Sequence, residues 1–270
     1  MQEWKKCNKI FSMKTIMLSH QKNIRDLGYL VGFSNMKVKE GRLFRGGYFG
    51  QMTDDDIARI STLSLTDVVD FRSNQEFVNR PDYRFEGVEY HSLPPMQAKV
   101  KEEHAKMDDG NLLWFVGFNK TGYEHMYNLY GELPVTETGI NAYKEFFKIL
   151  TKDDKRIVYF HCSQGKDRAG LAAYLLEIAL GVKQEDAVAD YLYSNVAMEM
   201  RVEVYLDMLK KKDYFDESYR QSLFDVFSAK VDYLNHSVEM INKCFGSVLN
   251  YIKNVLEVDI DKLRDIYLED

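Results

Sequence analysis

The sequence is poor in cysteine, and the cysteines it has lack the spacing of a structural framework. Its 270 residues include three, Cys7, Cys162 and Cys244, which are too few and too scattered for a disulfide network or a paired-cysteine zinc site. An odd number of cysteines fits reduced thiols, so we expect a cytoplasmic protein. Secretion stays open as the alternative, because secreted bacterial proteins also often lack disulfides.

Long hydrophobic runs and a surplus of basic residues are also absent. The most apolar stretch, residues 171–182, is interrupted by Glu177, so we expect no transmembrane segment. The 36 Lys and Arg residues are outnumbered by 42 Asp and Glu residues, which gives a formal net charge of −6. Because a surface that follows nucleic-acid phosphates usually needs excess positive charge, nucleic acid is not an expected partner.

The overall composition is that of a globular protein rather than a modular array. The chain has four prolines and no internal repeat or low-complexity segment, with 45% hydrophobic and 29% charged residues. A chain of this length buries enough apolar surface to fold without a metal or a disulfide. The basic N-terminus lacks a cleavage site, so we interpret residues 1–19 as a mature extension before one domain over residues 20–270.

Strand signals lie in the first part of the chain, and helix signals dominate the rest. Short apolar runs at 41–47, 66–72 and 157–160 predict strands. Thr53, followed by three aspartates, predicts the start of a helix over 57–63. Together these signals predict an α/β fold with a central sheet of four or five strands flanked by helices and a helical C-terminal layer. The other predicted helices are 141–150, 168–180, 184–197, 198–211, 217–245, 248–256 and 259–268.

Residues 95–130 show no clear pattern, and we expect a lid or insertion there. A connection of this length in a compact domain is either a lid or an interaction element. Its aromatic side chains have no single helical face, which favours a lid over core packing. These side chains are Trp114, Phe115, Phe118, Tyr123, Tyr127 and Tyr130.

The most informative segment is residues 157–170, with the sequence IVYFHCSQGKDRAG. A loop between a strand and a helix N-terminus directs backbone N–H groups inward, and the helix dipole adds positive potential, so the pattern predicts an anion site. Gly165 allows the necessary curvature, and Arg168 offers a planar cationic fork for two phosphate oxygens. At the centre of such a site the Cys162 thiolate is stabilised and becomes a nucleophile for a bound phosphate.

Cys162 and Arg168 also match a known signature. Their Cys-x5-Arg spacing is that of the protein tyrosine phosphatase superfamily, and the fuller run His-Cys-x-x-Gly-Lys-Asp-Arg-x-Gly resembles its bacterial and fungal branch, which also acts on phosphoinositides. The resemblance covers residues 20–268 except for 95–130 and implies a tyrosine phosphatase-like fold. The other matching segments are NIRDLG at 23–28, RGG at 45–47, VVDFRSNQEF at 68–77 with Pro81-Asp82, ADYLYSN at 189–195 and YIKNVLEVDIDKLRDIYL at 251–268.

The resemblance implies a two-step mechanism that needs no metal or other cofactor. The Cys162 thiolate attacks phosphorus and forms a cysteinyl-phosphate, which water then hydrolyses. Arg168 and the loop amides hold the phosphate oxygens as charge develops. The other residues expected to bind phosphate are Ser163, Gln164, Gly165 and Lys166.

The proton donor to the leaving group stays open, because the Trp-Pro-Asp triplet of better-known tyrosine phosphatases is missing. Asp167, inside the signature, is the first candidate for general acid and later base. Asp70, at the end of a predicted strand, is the second, with the alternative that it hydrogen-bonds Arg168 and fixes its rotamer. A lid carboxylate such as Asp108 or Asp109 is the third.

Several residues near the motif carry further expectations. Ala169 stands where the family usually has Thr or Ser, whose hydroxyl bonds to the cysteine sulfur and helps it leave. We therefore expect either a less stabilised Cys162 thiolate or slower breakdown of the intermediate. Lys166 is either a solvated surface charge or a contact for a second phosphate on an inositol ring. His161 is interpreted as a residue that orients the loop, with a role as a base as the alternative. Arg25 and Asp26 are interpreted as a structural ion pair, with contact to the substrate as the alternative.

The expected function is a cysteine-dependent phosphatase that acts on phosphotyrosine in proteins or on a phosphoinositide. A recessed cysteine favours phosphotyrosine, whereas Lys166 and the aspartate in the loop favour a polyphosphorylated ligand. One rival is a catalytically weak module that binds a phosphorylated ligand, suggested by Ala169. Another is a sulfur-transfer enzyme, which the Gly-Lys-Asp-Arg run disfavours. The oligomeric state is left open.

Overall fold

A six-stranded sheet lies at the centre of the protein, seen in a computed structural model that describes residues 14–19, 21, 23–96, 122–211 and 217–270. The strands are β1 (Thr15–Ile16), β2 (Ile24–Asp26), β3 (Lys37–Val38), β4 (Leu43–Gly47), β5 (Asp67–Asp70), β6 (Glu89–Ser92), β7 (Val158–Cys162) and β8 (Leu268–Glu269). The order across the sheet is β1-β2-β4-β7-β5-β6, and β3 pairs with β8 in a separate two-stranded sheet.

The parallel part of the sheet determines where the functional loop lies. Strands β4, β7, β5 and β6 run parallel, whereas β1 and β2 are antiparallel to their neighbours. In register, Cys162 of β7 lies opposite Gly47 of β4, and His161 lies opposite Asp70 of β5. The carboxyl ends of these three strands therefore meet at one edge, which is where open α/β sheets bind ligands.

Helices follow most of the predicted segments. Thr53 caps the first of them, as the sequence predicted, and forms a reciprocal capping box with Asp56. This helix covers Asp54–Ser61 rather than the predicted 57–63. The helices are α1 (Asp54–Ser61), α2 (Asn74–Asn79), α3 (Gly122–Glu132), α4 (Glu137–Leu150), α5 (Arg168–Ala179), α6 (Gln184–Lys211), α7 (Glu217–Phe227), α8 (Val231–Phe245) and α9 (Ile260–Tyr267).

Three helix predictions need correction. The segments 184–197 and 198–211 form one helix, α6, because no glycine or proline interrupts them. The predicted helix 217–245 is broken between α7 and α8, where the side-chain amide of Asn195 binds both backbone groups of Ala229. The segment 248–256 contains a short helical turn followed by a π-helical turn at Tyr251–Val255.

Successive side chains of a strand point to opposite faces of the sheet, so alternating residues pack in two separate cores. Val69 and Phe160 belong to the larger core, into which α4, α5 and α8 also place apolar side chains. Val68 and Tyr159 belong to the smaller core, together with Ile60 of α1. The central strands are therefore buried on both faces and hold their carboxyl ends in fixed positions.

The predicted α/β fold with a helical C-terminal layer is confirmed. The sheet has six strands where four or five were expected, and its edge strand β1 is only two residues long. Strand β1 also places residues 15 and 16 of the expected N-terminal extension in the sheet. Across the described ranges, no helix combines the length and the apolar character needed to cross a membrane.

The expected lid falls partly outside the described residues. Trp114, Phe115 and Phe118 lie there, together with the rest of 97–121. The remaining aromatic residues are on α3, which packs against α7 and α8. Tyr130 is fully buried, so the expectation of a lid rather than core packing is wrong for this residue.

Candidate active site

Cys162 lies at the carboxyl end of β7, in the middle of the parallel strands. Its side chain is a free thiol and is only 1% exposed. The chain leaves β7 at this residue and enters α5 at Arg168, so the predicted strand, loop and helix are all present. The loop over residues 162–168 is called the signature loop below.

The backbone of the signature loop requires glycine at one position. Gly165 has a φ of +69°, and a Cβ added there would lie 2.2 Å from the carbonyl carbon and oxygen of Gly46. A left-handed φ is unfavourable for any residue with a side chain, and here the neighbouring strand β4 leaves no space for one. The loop and β4 are therefore in direct backbone contact.

Two buried side chains hold the loop carbonyls. The Asn23 side chain donates to the Gln164 carbonyl at 2.9 Å, and the Arg45 guanidinium donates to the Gly165 carbonyl at 2.9 Å. Within one trans peptide unit the C=O and N–H groups point in opposite directions. The N–H groups of Gly165 and Lys166 are therefore directed away from Asn23 and Arg45, as an anion site needs.

Arg168 is held by a carboxylate to which the sequence analysis assigned no role. Its two terminal nitrogens lie 2.5 and 2.9 Å from the two carboxylate oxygens of Glu76, which is on α2. Glu76 also accepts a short hydrogen bond from the Ser163 hydroxyl and bonds to Ser73 in a capping box. One carboxylate therefore fixes both ends of the signature loop.

The charge of Glu76 is maintained by these contacts. Burial alone would raise the pKa of its carboxyl, but the attraction and hydrogen bonds of Arg168, with those of Ser163 and Ser73, hold the pKa well below its ordinary range. Glu76 therefore stays ionised and Arg168 keeps a fixed orientation. The capping-box spacing from Ser73 to Glu76 was the visible sequence signal, and it indicates only a helix start.

Asp70 does not have the contact with Arg168 that was one of its two expected roles. Both of its carboxylate oxygens accept from the Arg72 side chain at 2.7–3.0 Å, and Arg72 also contacts Asp82. The expected hydrogen bond from the Arg168 guanidinium to Asp70 is not found in the described part of the chain, because Arg168 donates to Glu76 instead. Burial raises the pKa of Asp70, but His161 and Arg72 outweigh it and lower the pKa below the ordinary value.

Lys166 is neither solvated nor available in this arrangement for a second phosphate. The residue is 1% exposed, and its ammonium lies 2.6 Å from the Val226 carbonyl, 3.2 Å from the Ser228 carbonyl and 2.9 Å from a carboxylate oxygen of Asp167. Two of its three N–H donors are hydrogen-bonded to these carbonyls, and the ammonium is also paired with the Asp167 carboxylate. The side chain anchors the loop to the end of α7.

Asp167 is the penultimate residue of the signature loop and lies immediately before α5. Its side chain is 21% exposed, and one of its oxygens accepts from the Tyr130 hydroxyl at 2.8 Å. The carboxylate does not cap the helix. It is therefore accessible and tethered at once. The alternatives Asp108 and Asp109 lie outside the described residues.

His161 and Ala169 flank the loop residues. One ring nitrogen of His161 lies 3.2 Å from the Cys162 carbonyl oxygen, which fits the expected orienting contact. Ala169 is fully buried and has no hydroxyl to offer to the thiol.

Beneath the loop, Asp190 of α6 lies between two arginines. It accepts from Arg25 at 2.7 and 3.1 Å and also contacts Arg45, and all three residues are fully buried. The expected pair of Arg25 with Asp26 is therefore wrong. Asp26 instead accepts from backbone N–H groups of a turn. Through Arg45 this buried cluster supports the Gly165 carbonyl.

Among the described residues, two groups resemble metal sites, and each consists of two carboxylates and one histidine. In each group, the candidate ligand atoms lie within 4.8 Å of one another. Each group also contains an arginine: Arg156 contacts Asp67 at 3.0 Å, and Arg72 bridges the carboxylates of the other group. A guanidinium already balances the negative charge, so these groups do not fit a cation. They are Asp67, Glu89 and His91, and Asp70, Asp82 and His161.

Comparison with known proteins matches nearly the whole chain. The model of a family described as the tyrosine phosphatase family matches residues 16–269. A Cupriavidus necator protein whose name places it among the tyrosine-protein phosphatases is 34% identical over 248 residues, which cover 91% of this chain and 85% of the relative. The triple specificity protein phosphatase PtpB of Mycobacterium tuberculosis is 24% identical over 260 residues, which cover 86% and 92% of the two chains.

Proposed function

This chain belongs to the tyrosine phosphatase family and is a cysteine-dependent phosphatase, for which we propose Cys162 as the nucleophile and Asp167 as the general acid. The observation that carries the proposal is the position of Cys162. Its thiol lies where β7 ends, in a loop whose carbonyls are bound from outside and whose last residue, Arg168, is fixed by Glu76. Such a loop is preorganised for an anion.

In the first step, the Cys162 sulfur forms a bond to phosphorus while the bond from phosphorus to the ester oxygen breaks. The leaving oxygen takes a proton from Asp167, and the leaving group departs as a neutral alcohol. The N–H groups of the loop and the Arg168 guanidinium hold the three other phosphate oxygens. The product is a cysteinyl-phosphate and an ionised Asp167.

In the second step, water attacks the cysteinyl-phosphate. Asp167 accepts a proton from that water, the sulfur leaves as a thiolate, and inorganic phosphate is released. Asp167 is thereby protonated again, and the cycle is balanced without a metal or an organic cofactor. Because Ala169 has no hydroxyl to stabilise the leaving thiolate, this step is expected to be the slower one.

The choice of Asp167 over Asp70 rests on exposure and on how many of the carboxylate oxygens are already bound. A general acid must be protonated and must reach the leaving oxygen. Asp70 is held ionised by a lowered pKa, and both of its oxygens are bound to Arg72. Asp167 is partly exposed and adjoins Arg168 in the chain. These features support Asp167 as the donor.

For the substrate, we propose phosphotyrosine before phosphoinositides. The 1% exposure of Cys162 suits a long aromatic phosphate ester that reaches a recessed thiol. Lys166 was the main argument for a second phosphate, and its ammonium is engaged within the protein. The name of the M. tuberculosis relative records three specificities for that protein. The activity test of this chain must therefore include several classes of substrate.

The test is phosphate release from p-nitrophenyl phosphate, a phosphotyrosine peptide, a phosphoserine peptide and phosphatidylinositol phosphates. Wild type is expected to be active, with the highest kcat/KM on the phosphotyrosine peptide, and Cys162→Ser is expected to be inactive on all four. Cys244→Ser is the matched control, because Cys244 is an exposed thiol on α8. It should retain wild-type activity.

Two outcomes would contradict the proposal. Activity that survives in Cys162→Ser would exclude this nucleophile. A wild-type protein that binds vanadate but releases no phosphate from any substrate would instead be a phosphate-binding module, the function that Ala169 suggested. A higher kcat/KM on the lipid substrates would overturn only the substrate order.

A further inference from the structure

The Asp167 carboxylate is held on one side only. Its Oδ1 accepts a hydrogen bond from the Tyr130 hydroxyl at 2.8 Å and lies 2.9 Å from the Lys166 ammonium. Among the described residues, the hydrogen bond and the ion pair of this carboxylate both fall on Oδ1. The other oxygen, Oδ2, is therefore the one that is available to carry and transfer a proton.

The hydroxyl that holds Asp167 is itself held by a second tyrosine. Tyr191 donates from its hydroxyl to the Tyr130 hydroxyl at 2.8 Å. The two tyrosines come from different helices, α3 and α6, and both are fully buried. Tyr191, Tyr130 and Asp167 thus form a directed chain in which each hydroxyl donates to the next group.

Both hydroxyls keep their protons under ordinary conditions. Burial, with the negative charge of Asp167 added to it, raises the pKa of Tyr130 and of Tyr191 well above the ordinary tyrosine value. A neutral Tyr130 can only donate in this chain, because its oxygen already accepts from Tyr191. The direction of the bond to Oδ1 is therefore fixed.

A short side chain such as aspartate still rotates about two bonds, and proton transfer depends strongly on geometry. The chain restrains this rotation from a rigid part of the core, since Tyr130 packs at a ring-centroid distance of 5.6 Å from Tyr233 and 6.1 Å from Tyr191. Oδ2 is consequently presented in one orientation. Neither tyrosine needs to contact the substrate to have this effect.

We propose that Tyr130 and Tyr191 are positioning residues that fix Asp167 through Oδ1 and so aim Oδ2 at the leaving-group oxygen. This inference rests on the proposed function, which assigns Asp167 as the general acid. The proton on Oδ2 moves to the leaving oxygen as its bond to phosphorus breaks, and the tyrosine protons stay on their own oxygens. The chain therefore accelerates the first step most when the leaving group is a poor one.

The test is a series of phosphate esters with progressively poorer leaving groups: p-nitrophenyl, phenyl and alkyl phosphate. For Tyr130→Phe we expect kcat/KM to change by less than about twofold on p-nitrophenyl phosphate and to fall about tenfold on phenyl and alkyl phosphate, a fraction of the ~100-fold or greater contribution of a general acid. Tyr191→Phe should show a smaller loss with the same trend.

Two reference variants make the result specific. Asp167→Asn should show the same dependence on the leaving group, with a loss of about 100-fold on the poor ones. Tyr267→Phe is the matched control, because Tyr267 is also a buried tyrosine, and its hydroxyl donates to the Leu150 carbonyl at 2.9 Å. Its kcat/KM, relative to that of wild type, should be the same on all of the esters.

The inference is overturned if Tyr130→Phe lowers kcat/KM equally on all esters, which is the result of a purely structural role. It is also overturned if Asp167→Asn depends on the leaving group while both tyrosine variants do not. If Asp167→Asn itself shows no such dependence, the assignment of the acid fails and the positioning role fails with it. Should Tyr130→Phe not fold, Tyr191→Phe applies the same criteria.

Discussion

Glu76 and Arg168 meet with two contacts, of 2.5 and 2.9 Å, between a carboxylate on α2 and a guanidinium at the start of α5. The same carboxylate binds Ser163 at the other end of the signature loop. A bidentate pair fixes the plane of a guanidinium as well as its position. The proposed phosphate site is thus shaped before any substrate arrives, by a residue that is not in the signature.

Glu76→Gln is therefore expected to impair catalysis without removing a reacting group. The neutral amide can no longer hold Arg168 by charge, and we expect kcat/KM on p-nitrophenyl phosphate to fall about 10- to 100-fold, less than the ~100- to 1000-fold loss of a direct oxyanion donor. Steady-state kinetics measure this. Glu89→Gln is the control, because Glu89 also faces an arginine, Arg156, but at the start of β6. Equal kcat/KM values in Glu76→Gln and wild type would contradict the role of this pair.

Gly165→Ala should damage the loop more than the same change at a matched glycine. Gly87 also has a positive φ, of +76°, but an added Cβ would meet nothing within 4 Å. Gly87→Ala should cost about 1–2 kcal/mol for the backbone conformation alone and leave activity unchanged. Gly165→Ala adds a collision with Gly46, so it should lose more stability and most activity. Urea unfolding and kcat/KM together test this, and similar losses in both variants would refute the contact with β4.

A buried carboxyl of α5 gives the protein a pH-dependent stability. Glu177 is fully buried, its oxygens accept no hydrogen bond from the described residues, and burial with the nearby charge of Asp190 raises its pKa well above the ordinary value. With its pKa raised in this direction, we expect Glu177 to stay neutral in the folded state at a pH that ionises it in the unfolded chain. Its contribution to stability is fully present below the ordinary carboxyl pKa and is lost as the pH rises toward the folded value.

Glu177→Gln removes this dependence, because glutamine cannot ionise. The free energy of unfolding of the variant, minus that of wild type, should grow with pH by at most about 1.4 kcal/mol per pH unit over the neutral range. Urea titrations at several pH values measure the difference. A difference that is constant with pH would show that Glu177 is ionised in the folded protein.

Ala169 predicts that the intermediate accumulates. In rapid mixing with p-nitrophenyl phosphate, wild type should release a burst of p-nitrophenol before the slower steady state. Ala169→Ser should reduce the burst and raise kcat by up to about tenfold, the equivalent of one hydrogen bond of about 1.4 kcal/mol to the leaving sulfur. Ala169→Gly adds no hydroxyl and should leave the burst in place. If wild type shows no burst, breakdown of the intermediate is not the slow step.

The local part of the site could be read from the sequence. The strand at 158–162, the loop and α5 follow one another directly, so hydrophobic pattern, glycine and helix start all lie within one short segment. The α/β class followed in the same way from strands with buried apolar runs and helices between them. These signals are local, so they can be recognised in the sequence without knowledge of the tertiary fold.

The partners of the loop could not be read, because they come from distant segments. Arg25 binds Asp190, 165 residues away, although the adjacent Asp26 was the obvious candidate in the sequence. Lysine is a residue type that usually lies on the surface. Lys166 is buried because the signature loop packs against the end of α7. Glu76 carries a capping-box pattern that accounts for it locally and conceals its contact with Arg168.

The central claim is that phosphate is transferred to the sulfur of Cys162, and mass spectrometry of an acid-quenched reaction tests it most directly. Wild type mixed with p-nitrophenyl phosphate, quenched within the burst and digested, should yield a phosphorylated peptide with the phosphate on Cys162. The Cys162→Ser protein should yield none. Phosphate on another residue, or turnover without any phosphorylated enzyme, would contradict the account.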